Sequence, residues 1–167
     1  MIKEKKHRLE KKFYRGFVRA TFTICIKDKK KLFYRGLYNA QPEVCGYQIV
    51  SLFNEILKEI LAKQKIKNWV YVYMPDHLHL ILEGSDEKSN LLKAIYFFKQ
   101  KTGFWLSKNM RQFCWQKDFY DHIHRKDEDL KKQIRYILDN PVRAGLVKNW
   151  EEYPFKGSLD YDLEDIL

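Results

Sequence analysis

Cysteine is scarce. Cys25, Cys45 and Cys114 are odd in number and far apart. That spacing excludes a zinc knuckle and a disulfide framework, and it suits reduced thiols in a cytoplasm. No apolar run reaches the ~18 residues that would read as a membrane span. The N-terminus is too charged to read as a secretory signal. Acidic residues are missing altogether from Lys88 to Lys117, a stretch that holds seven Lys or Arg. Internal repeats and a domain linker are also lacking, so the 167 residues are expected to form one domain, 1–167.

Against these absences, 45% of the residues are hydrophobic and 16% aromatic, enough to bury a core. The net charge is +10, with a pI near 9.4. A balance this basic points to a polyanionic partner, either nucleic acid or an anionic membrane. The charge is unevenly placed. Residues 1–15 form a basic arm, with Lys3, Lys5, Lys6, Arg8, Lys11, Lys12 and Arg15 against Glu4 and Glu10. A solvated, frayed terminus and an arm lying near phosphates fit it equally. Residues 151–167 form an acidic tail, six Asp or Glu against Lys156, expected to wrap the surface or move freely. Such a tail could also shield a basic groove.

Hydrophobic periodicity sets out the elements. Phe17 to Ile26 is β-branched and aromatic with partial alternation, a first strand, followed by a charged turn from Lys27 to Lys31. Asn39-Ala40-Gln41-Pro42 suits a helix start, and Ile49, Leu52, Phe53, Ile56, Leu57 and Ile60 recur at helical spacing, predicting a helix over 42–63. Ile66 to Met74 and His77 to Glu83 read as two strands joined by Pro75-Asp76, an antiparallel hairpin. A second helix is predicted over 89–108 and a short strand-like stretch over Phe119 to His124. A third helix over 127–139 has acidic residues in its first turn and stops before Pro141. The class is α+β: the first six elements match a ferredoxin-like βαββαβ unit with an antiparallel sheet, and the third helix is added C-terminally.

Three groups of residues carry candidate chemistry. On the strand after the turn, Leu78, Leu80 and Leu82 point one way, and His77 and His79 point the other, side by side. Two imidazoles on one strand face can take two positions around a divalent metal if a third ligand comes from elsewhere; a half-exposed strand that happens to carry histidines has the same pattern. On the third helix, Leu130, Ile134 and Ile137 form the buried stripe, with Gln133, Tyr136 and Asn140 on its flank. A tyrosine phenol can attack a phosphodiester and an amide oxygen can bind a metal, but a boundary tyrosine and a helix-terminal asparagine satisfy the spacing as well. Between residues 88 and 117, Lys93, Lys99, Lys101, Lys108 and Arg111 alternate with Tyr96, Phe97, Phe104 and Trp105. Charges for phosphates and rings for bases are what single-stranded nucleic acid needs, and Lys99, Lys101 and Arg111 are candidate DNA contacts. An amphipathic helix with a basic outer face accounts for the same residues.

Taken together, the strings are recognisable. Met74-Pro75-Asp76-His77-Leu78-His79-Leu80-Ile81 resembles the histidine–hydrophobic–histidine signature of single-tyrosine (HUH) transposases. Arg135-Tyr136-Ile137-Leu138-Asp139-Asn140-Pro141-Val142-Arg143-Ala144-Gly145-Leu146-Val147 is similar to that family's tyrosine signature. Trp115-Gln116, Phe119, Asp121-His122, Arg125, Trp150 and Tyr153-Pro154-Phe155 are similar too, so the resemblance spans roughly residues 12–160. Within the family it is nearest to the REP-associated tyrosine transposases. The resemblance implies that Tyr136 is the nucleophile and that His77 and His79 bind a divalent metal, Mg or Mn. Asn140 stands where a polar residue, often Gln in mobile relatives, completes the metal site. Gln133 is not a motif position. The implied activity is cutting and joining of single-stranded DNA near hairpins through a 5′-phosphotyrosine, in the cytoplasm at the nucleoid, by a monomer rather than a dimer and away from membranes. The alternative is a hairpin-binding protein or repressor that keeps the fold without the chemistry. A basic helix lying on a membrane surface is a further class, but it leaves the histidine pair unexplained.

Overall fold

A computed structural model of the chain describes residues 9–33, 37–38 and 41–167, with side chains omitted over 37–45. Residues 1–8 of the basic arm and Asn39-Ala40 lie outside the described residues. The rest of the arm is anchored: Lys11–Tyr14 forms a 3-10 turn, and Tyr14 is fully buried.

Five strands build the main sheet. β1 (Arg19–Cys25) buries every second residue, placing Ala20, Phe22 and Ile24 in the core, as its alternation predicts. β4 (Ile66–Met74) and β5 (His77–Gly84) form the expected hairpin around Pro75-Asp76. β6 (Tyr120–Ile123) pairs with β1, and β7 (Lys156–Gly157) adds to the far edge of β4. The order is β6-β1-β5-β4-β7 and every pairing is antiparallel. The architecture is therefore α+β, built on an antiparallel five-stranded sheet.

Helices α1 (Gly46–Gln64) and α2 (Leu91–Asn109) cover one face. Tyr73, paired with Leu78, points to that face and donates to Asn54 of α1 at 3.0 Å. Phe53 of α1 meets Phe98 of α2 edge-on at 6.0 Å, and Phe33 and Trp115 complete the aromatic cluster. The other face carries Val70, Val72 and Ile81, all fully buried, and α3 (Leu130–Leu138) packs on β4 with Ile134, Ile137 and Leu138 inward. The hydrophobic alternation of β4 and β5 thus serves two layers, one on each side of the sheet.

Three expectations need correction. The first long helix begins at Gly46, not 42, because β3 (Gln41–Cys45) pairs with β2 (Leu37–Tyr38) in a separate two-stranded ribbon. A two-stranded ribbon leaves half of its backbone groups unpaired and so accepts Pro42. The third helix begins at Leu130, because Asp129 caps it by accepting from the Lys132 amide at 3.2 Å; the acidic run precedes the helix. Nor does the chain leave helical geometry for good before Pro141. After a break at Asp139 it makes a further turn, α4 (Asn140–Arg143), where proline fits the first turn without loss of a hydrogen bond.

The acidic tail first packs Phe155 against Tyr47 of α1 and then, beyond β7, docks on the α3 side of the sheet. Beyond β7, Tyr161 stacks on Trp69 with ring centroids 4.1 Å apart, and α5 (Leu163–Ile166) closes the chain. Asn68, fully buried at a register shift in β4, ties the tail down. Its side-chain amide donates to the carbonyls of Val70 and Ile81 and accepts from Leu159 N–H. Its backbone N–H donates to Asp160, and its carbonyl accepts from Ser158. Replacing Asn68 by Ala strands those buried partners, and urea denaturation should show a loss of about 2–3 kcal/mol.

Candidate active site

The turn at Pro75-Asp76 starts β5 with a histidine, and the two-residue period puts His77 and His79 on the α3 face while Leu78, Leu80 and Leu82 enter the α1–α2 core. The two imidazoles stand perpendicular, with Nε2 atoms 3.1 Å apart. Each is held from behind. His77 Nδ1 donates to the Asp76 carboxylate at 2.6 Å. His79 Nδ1 lies 2.9 Å from the hydroxyl of Thr23, its register partner on β1. With both Nδ1 atoms engaged, the Nε2 atoms are the ones left facing each other, and hydrogen bonds to the far nitrogen are what orient metal-binding histidines in general. A 3.1 Å separation is what two nitrogens on one ion span at bond lengths of ~2.1 Å.

Burial first, and then the neighbouring His77 and Arg143, lower the His79 pKa to about 3. The ring is neutral at pH 7 and its lone pair is available. The donor set therefore fits a divalent metal on the His77 side and the His79 side. Among the described residues no group of three His, Cys, Asp or Glu is placed to hold an ion, so further ligands are left to amide, substrate or water oxygen.

Tyr136 projects from α3 and is 62% exposed. Asn140 follows one turn later, in α4, and its amide nitrogen donates to the Ile137 carbonyl at 3.1 Å. Gln133, one turn earlier, is half-buried. Arg143 links this helix to the histidines. Its guanidinium lies 4.1 Å from the centre of the Tyr136 ring, donates to the Tyr136 carbonyl at 3.0 Å and to Asn140 Oδ1 at 2.9 Å. It is also close enough for its charge to act on His79. An amide oxygen has two lone pairs, so Asn140 Oδ1 keeps one beyond Arg143. Beside Tyr136 opens a hollow of about 420 Å³ with Lys131, Lys132, Arg135 and Arg143 on its walls, Asp139 as the one acidic side chain among the described residues there, and Leu167 of the tail at its edge.

Sequence reasoning passed over Thr23 and the basic face of α3. Thr23 gives no signal until strand register is known. The cations at 131, 132 and 135 were visible as residues, but only the helix orientation places them beside Tyr136. The DNA-contact candidates lie elsewhere. α2 packs on the sheet face opposite the histidines, so Lys99 and Lys101 are not brought to the site. Lys99 donates to the Gln116 and Lys117 carbonyls and lies over Phe119, and Lys101 pairs with Glu59 of α1 at 3.3 Å. Arg111 follows the end of α2. Of the interleaved rings, Phe97 and Phe104 are exposed beneath Lys93 and Lys108, Tyr96 is exposed too although its ring meets Phe119 edge-on, and Trp105 packs on Phe53.

Two measurements follow from the histidine geometry. Thr23→Val removes the hydroxyl behind His79 while keeping its volume, and calorimetric titration with Mn should show affinity falling about tenfold or more. Without metal, the folded state keeps His79 neutral down to about 3, whereas the unfolded chain takes up the proton near 6.5. The unfolded chain binds more protons between those values, so stability should fall as pH drops through that window. In urea melts, His79→Gln should flatten that dependence.

The site can be set beside known proteins. The sequence profile of the family described as "Transposase IS200 like" matches residues 18–140, from the start of β1 to Asn140. A REP-associated tyrosine transposase of Escherichia coli strain K12 is 30% identical over 133 residues, covering 78% of this chain and 76% of that protein. A Haemophilus influenzae protein provisionally named a REP-associated tyrosine transposase is 26% identical over 145 residues, covering 80% of this chain and 76% of its own. The solved structure of a REP-associated tyrosine transposase bound to a REP hairpin shares the fold, with a TM-score of 0.69 at 19% identity, over 92% of this chain and 82% of that one. The profile match takes in both the paired histidines and the tyrosine helix, and on that footing the chain belongs to the IS200-like transposase family.

Proposed function

We propose that the chain is a metal-dependent endonuclease and strand transferase for single-stranded DNA, cutting near hairpins through Tyr136. The observation that carries this reading is the convergence of the His77 and His79 Nε2 atoms at 3.1 Å on the sheet face that also bears the tyrosine helix. A pure DNA binder has no use for two back-braced imidazoles facing each other. The hairpin-bound relative and the E. coli transposase support the substrate class. The strand order β6-β1-β5-β4, with α1 and α2 on one face, supports a ferredoxin-like core in one domain, extended by β7 and α3.

In this reading His77 and His79 hold Mg or Mn, with Asn140 Oδ1 as the candidate third protein ligand. The metal, when bound, supplies Lewis-acid polarisation of the phosphodiester. The chain's own residues do the rest. The phenolic oxygen of Tyr136 attacks phosphorus and the bond to the 3′ oxygen breaks. This leaves a 5′-phosphotyrosine; the phenolic proton goes to solvent at the exposed ring, and the departing 3′ oxygen takes a proton from solvent to become the free 3′-OH. Because the phosphodiester's energy is kept in the covalent bond, a 3′-OH can reverse the step and join strands without ATP. Arg143, over the tyrosine ring and bonded to Asn140, places a cation where the attacked phosphate must lie.

Lys131, Lys132 and Arg135 line the path a strand takes to Tyr136. Phosphate contacts at Lys99, Lys101 and Arg111 require the DNA to continue around the sheet edge onto the α2 face. Among the described residues no helix is long and apolar enough to cross a membrane, and the excess of basic charge suits the nucleoid in the cytoplasm. The docked tail next to α3 favours a monomer, because it occupies the side of the tyrosine helix that an exchange between two copies would need.

The test is cleavage of labelled single-stranded hairpins with Mn, resolved on denaturing gels that retain covalent adducts. A metal-dependent adduct should form, disappear in Tyr136→Phe, and fall about a thousandfold or more in His79→Ala. Tight hairpin binding with no adduct under any metal would leave a binding protein. An adduct surviving Tyr136→Phe would reassign the nucleophile.

A further inference from the structure

A second cavity lies on the histidine face of the sheet at its other end, and the chemistry above makes no use of it. It has a volume of about 520 Å³. Four cations, Arg15, Arg19, Arg125 and Lys126, stand on its walls against one carboxylate, Glu83. That carboxylate is already committed: Oε2 accepts from Trp69 Nε1 at 2.5 Å and lies 3.9 Å from the Arg19 guanidinium. Arg19 is left with a buried Nε that has no hydrogen-bond partner among the described residues. His124, which also lines the cavity and is 8% exposed, has the same deficit: Nε2 lies 2.7 Å from the Thr21 hydroxyl, and Nδ1 is buried without a partner. Buried polar nitrogens are almost always paired in a folded protein. The observation that points to a ligand is the charge: four cations on one wall, with the single lining carboxylate already bonded to Trp69, leave a local positive excess that suits an anion.

The backbone around the cavity is built to stay still. Gly16 has φ +78°, a conformation that favours glycine, and its N–H donates to the Ser89 carbonyl at 3.0 Å. The Gly84 N–H donates to the Val18 carbonyl at 2.9 Å, and a Cβ on Gly84 would fall 1.9 Å from the Gly16 oxygen. These contacts clamp residues 15–18 against the end of β5. On this clamped segment Phe17 is 69% exposed, a large ring held out in water on a backbone that cannot fold it away. Across the cavity, the His124 N–H donates to the Arg19 carbonyl and the Arg125 N–H to Glu128, which fixes the other wall. A rigid exposed ring beside clustered cations is the pairing that takes a base and its phosphate.

We propose that this cavity is a second DNA subsite, holding a backbone phosphate of the unpaired strand with Arg15, Arg19, Arg125 and Lys126 while a base stacks on Phe17. The inference rests on the DNA reading above and extends it to a separate place. Arg19 lies four residues along β1 from Thr23, the partner of His79, so the subsite is ~14 Å from the histidines at the rise of an extended strand. A short stretch of single strand covers that distance. One face of the sheet then grips the strand at two points, with the cleavage position at one end and a fixed nucleotide at the other.

The experiment measures binding without divalent metal, so that it does not depend on cleavage. A hairpin with unpaired flanks on both sides is compared with the same hairpin lacking flanks. Phe17→Ala should weaken binding of the flanked hairpin by about tenfold, and Phe17→Trp should restore it. The double variant Arg125→Ala/Lys126→Ala should lose a similar factor and make the salt dependence shallower by about one unit of log–log slope. All three residues are exposed, so the variants keep the fold, and none should alter binding of the flankless hairpin. Unchanged affinity for the flanked hairpin, or an equal loss on both hairpins, overturns the subsite. A stabilising effect of inorganic phosphate that the double variant abolishes, with DNA binding untouched, assigns the cavity to a free anion and overturns it too. Wild-type protein that binds neither hairpin removes the DNA reading as a whole. Flank-dependent binding without any Tyr136 adduct removes only the chemistry and leaves the subsite standing.

Discussion

The site depends on the register between β1 and β5. That pairing sets Thr23 opposite His79, Thr21 opposite Ile81 and Arg19 opposite Glu83. A slip of one residue would turn every side chain of β5 over, sending Leu78, Leu80 and Leu82 to the α3 face and the histidines into the α1–α2 core. The register is well defended, because both faces are packed: the leucines lie under two helices, and Ile81 with Val70 and Val72 lies under α3. The two-residue turn at Pro75-Asp76 adds a covalent limit, so that Asp76 braces the histidine next to it.

Electrostatics then divide the labour across that face. At the histidine end His79 is kept neutral: it is desolvated and stands near His77 and Arg143, and all three effects disfavour its protonated form. The helix that brings Tyr136 brings positive charge with it, since Lys131, Lys132, Arg135 and Arg143 surround the hollow beside the ring. The face is thus positively charged around Tyr136 while the His79 ring stays neutral beside it. The far end of the face repeats the excess of positive charge at Arg15, Arg19, Arg125 and Lys126. The acidic tail packs beside α3, and one of its carboxylates, Asp160, is spent on Lys67 and on the Asn68 amide.

Much of the fold was legible because its signals are local. The β4–β5 hairpin needs only two alternating runs and a turn, and α2 only a helical stripe. The start of the first helix is not legible, because Pro42 suits a helix N-terminus and an unpaired ribbon edge equally, and the choice belongs to the pairing of 41–45 with 37–38. The docking of the tail is hidden from the sequence for a similar reason. Its anchor, Asn68, is a lone polar residue in a strand, and nothing near it in sequence announces hydrogen bonds to residues some ninety positions away.

The sequence by itself determined which residues are the candidates for the chemistry. His77 and His79 share a face by the pleat of a strand, Tyr136 and Asn140 are one turn apart by the pitch of a helix, and both facts are short-range geometry. Tertiary structure alone decided what surrounds them. Thr23 reaches His79 through strand register, and Arg143 reaches Tyr136, Asn140 and the neighbourhood of His79 through the extra turn after Pro141. The lysines of α2 went to the opposite side of the sheet from the histidines, and the cations of α3 to the same side. Charge composition is indifferent to faces; the packing of helices on two sides of one sheet is what sorts it.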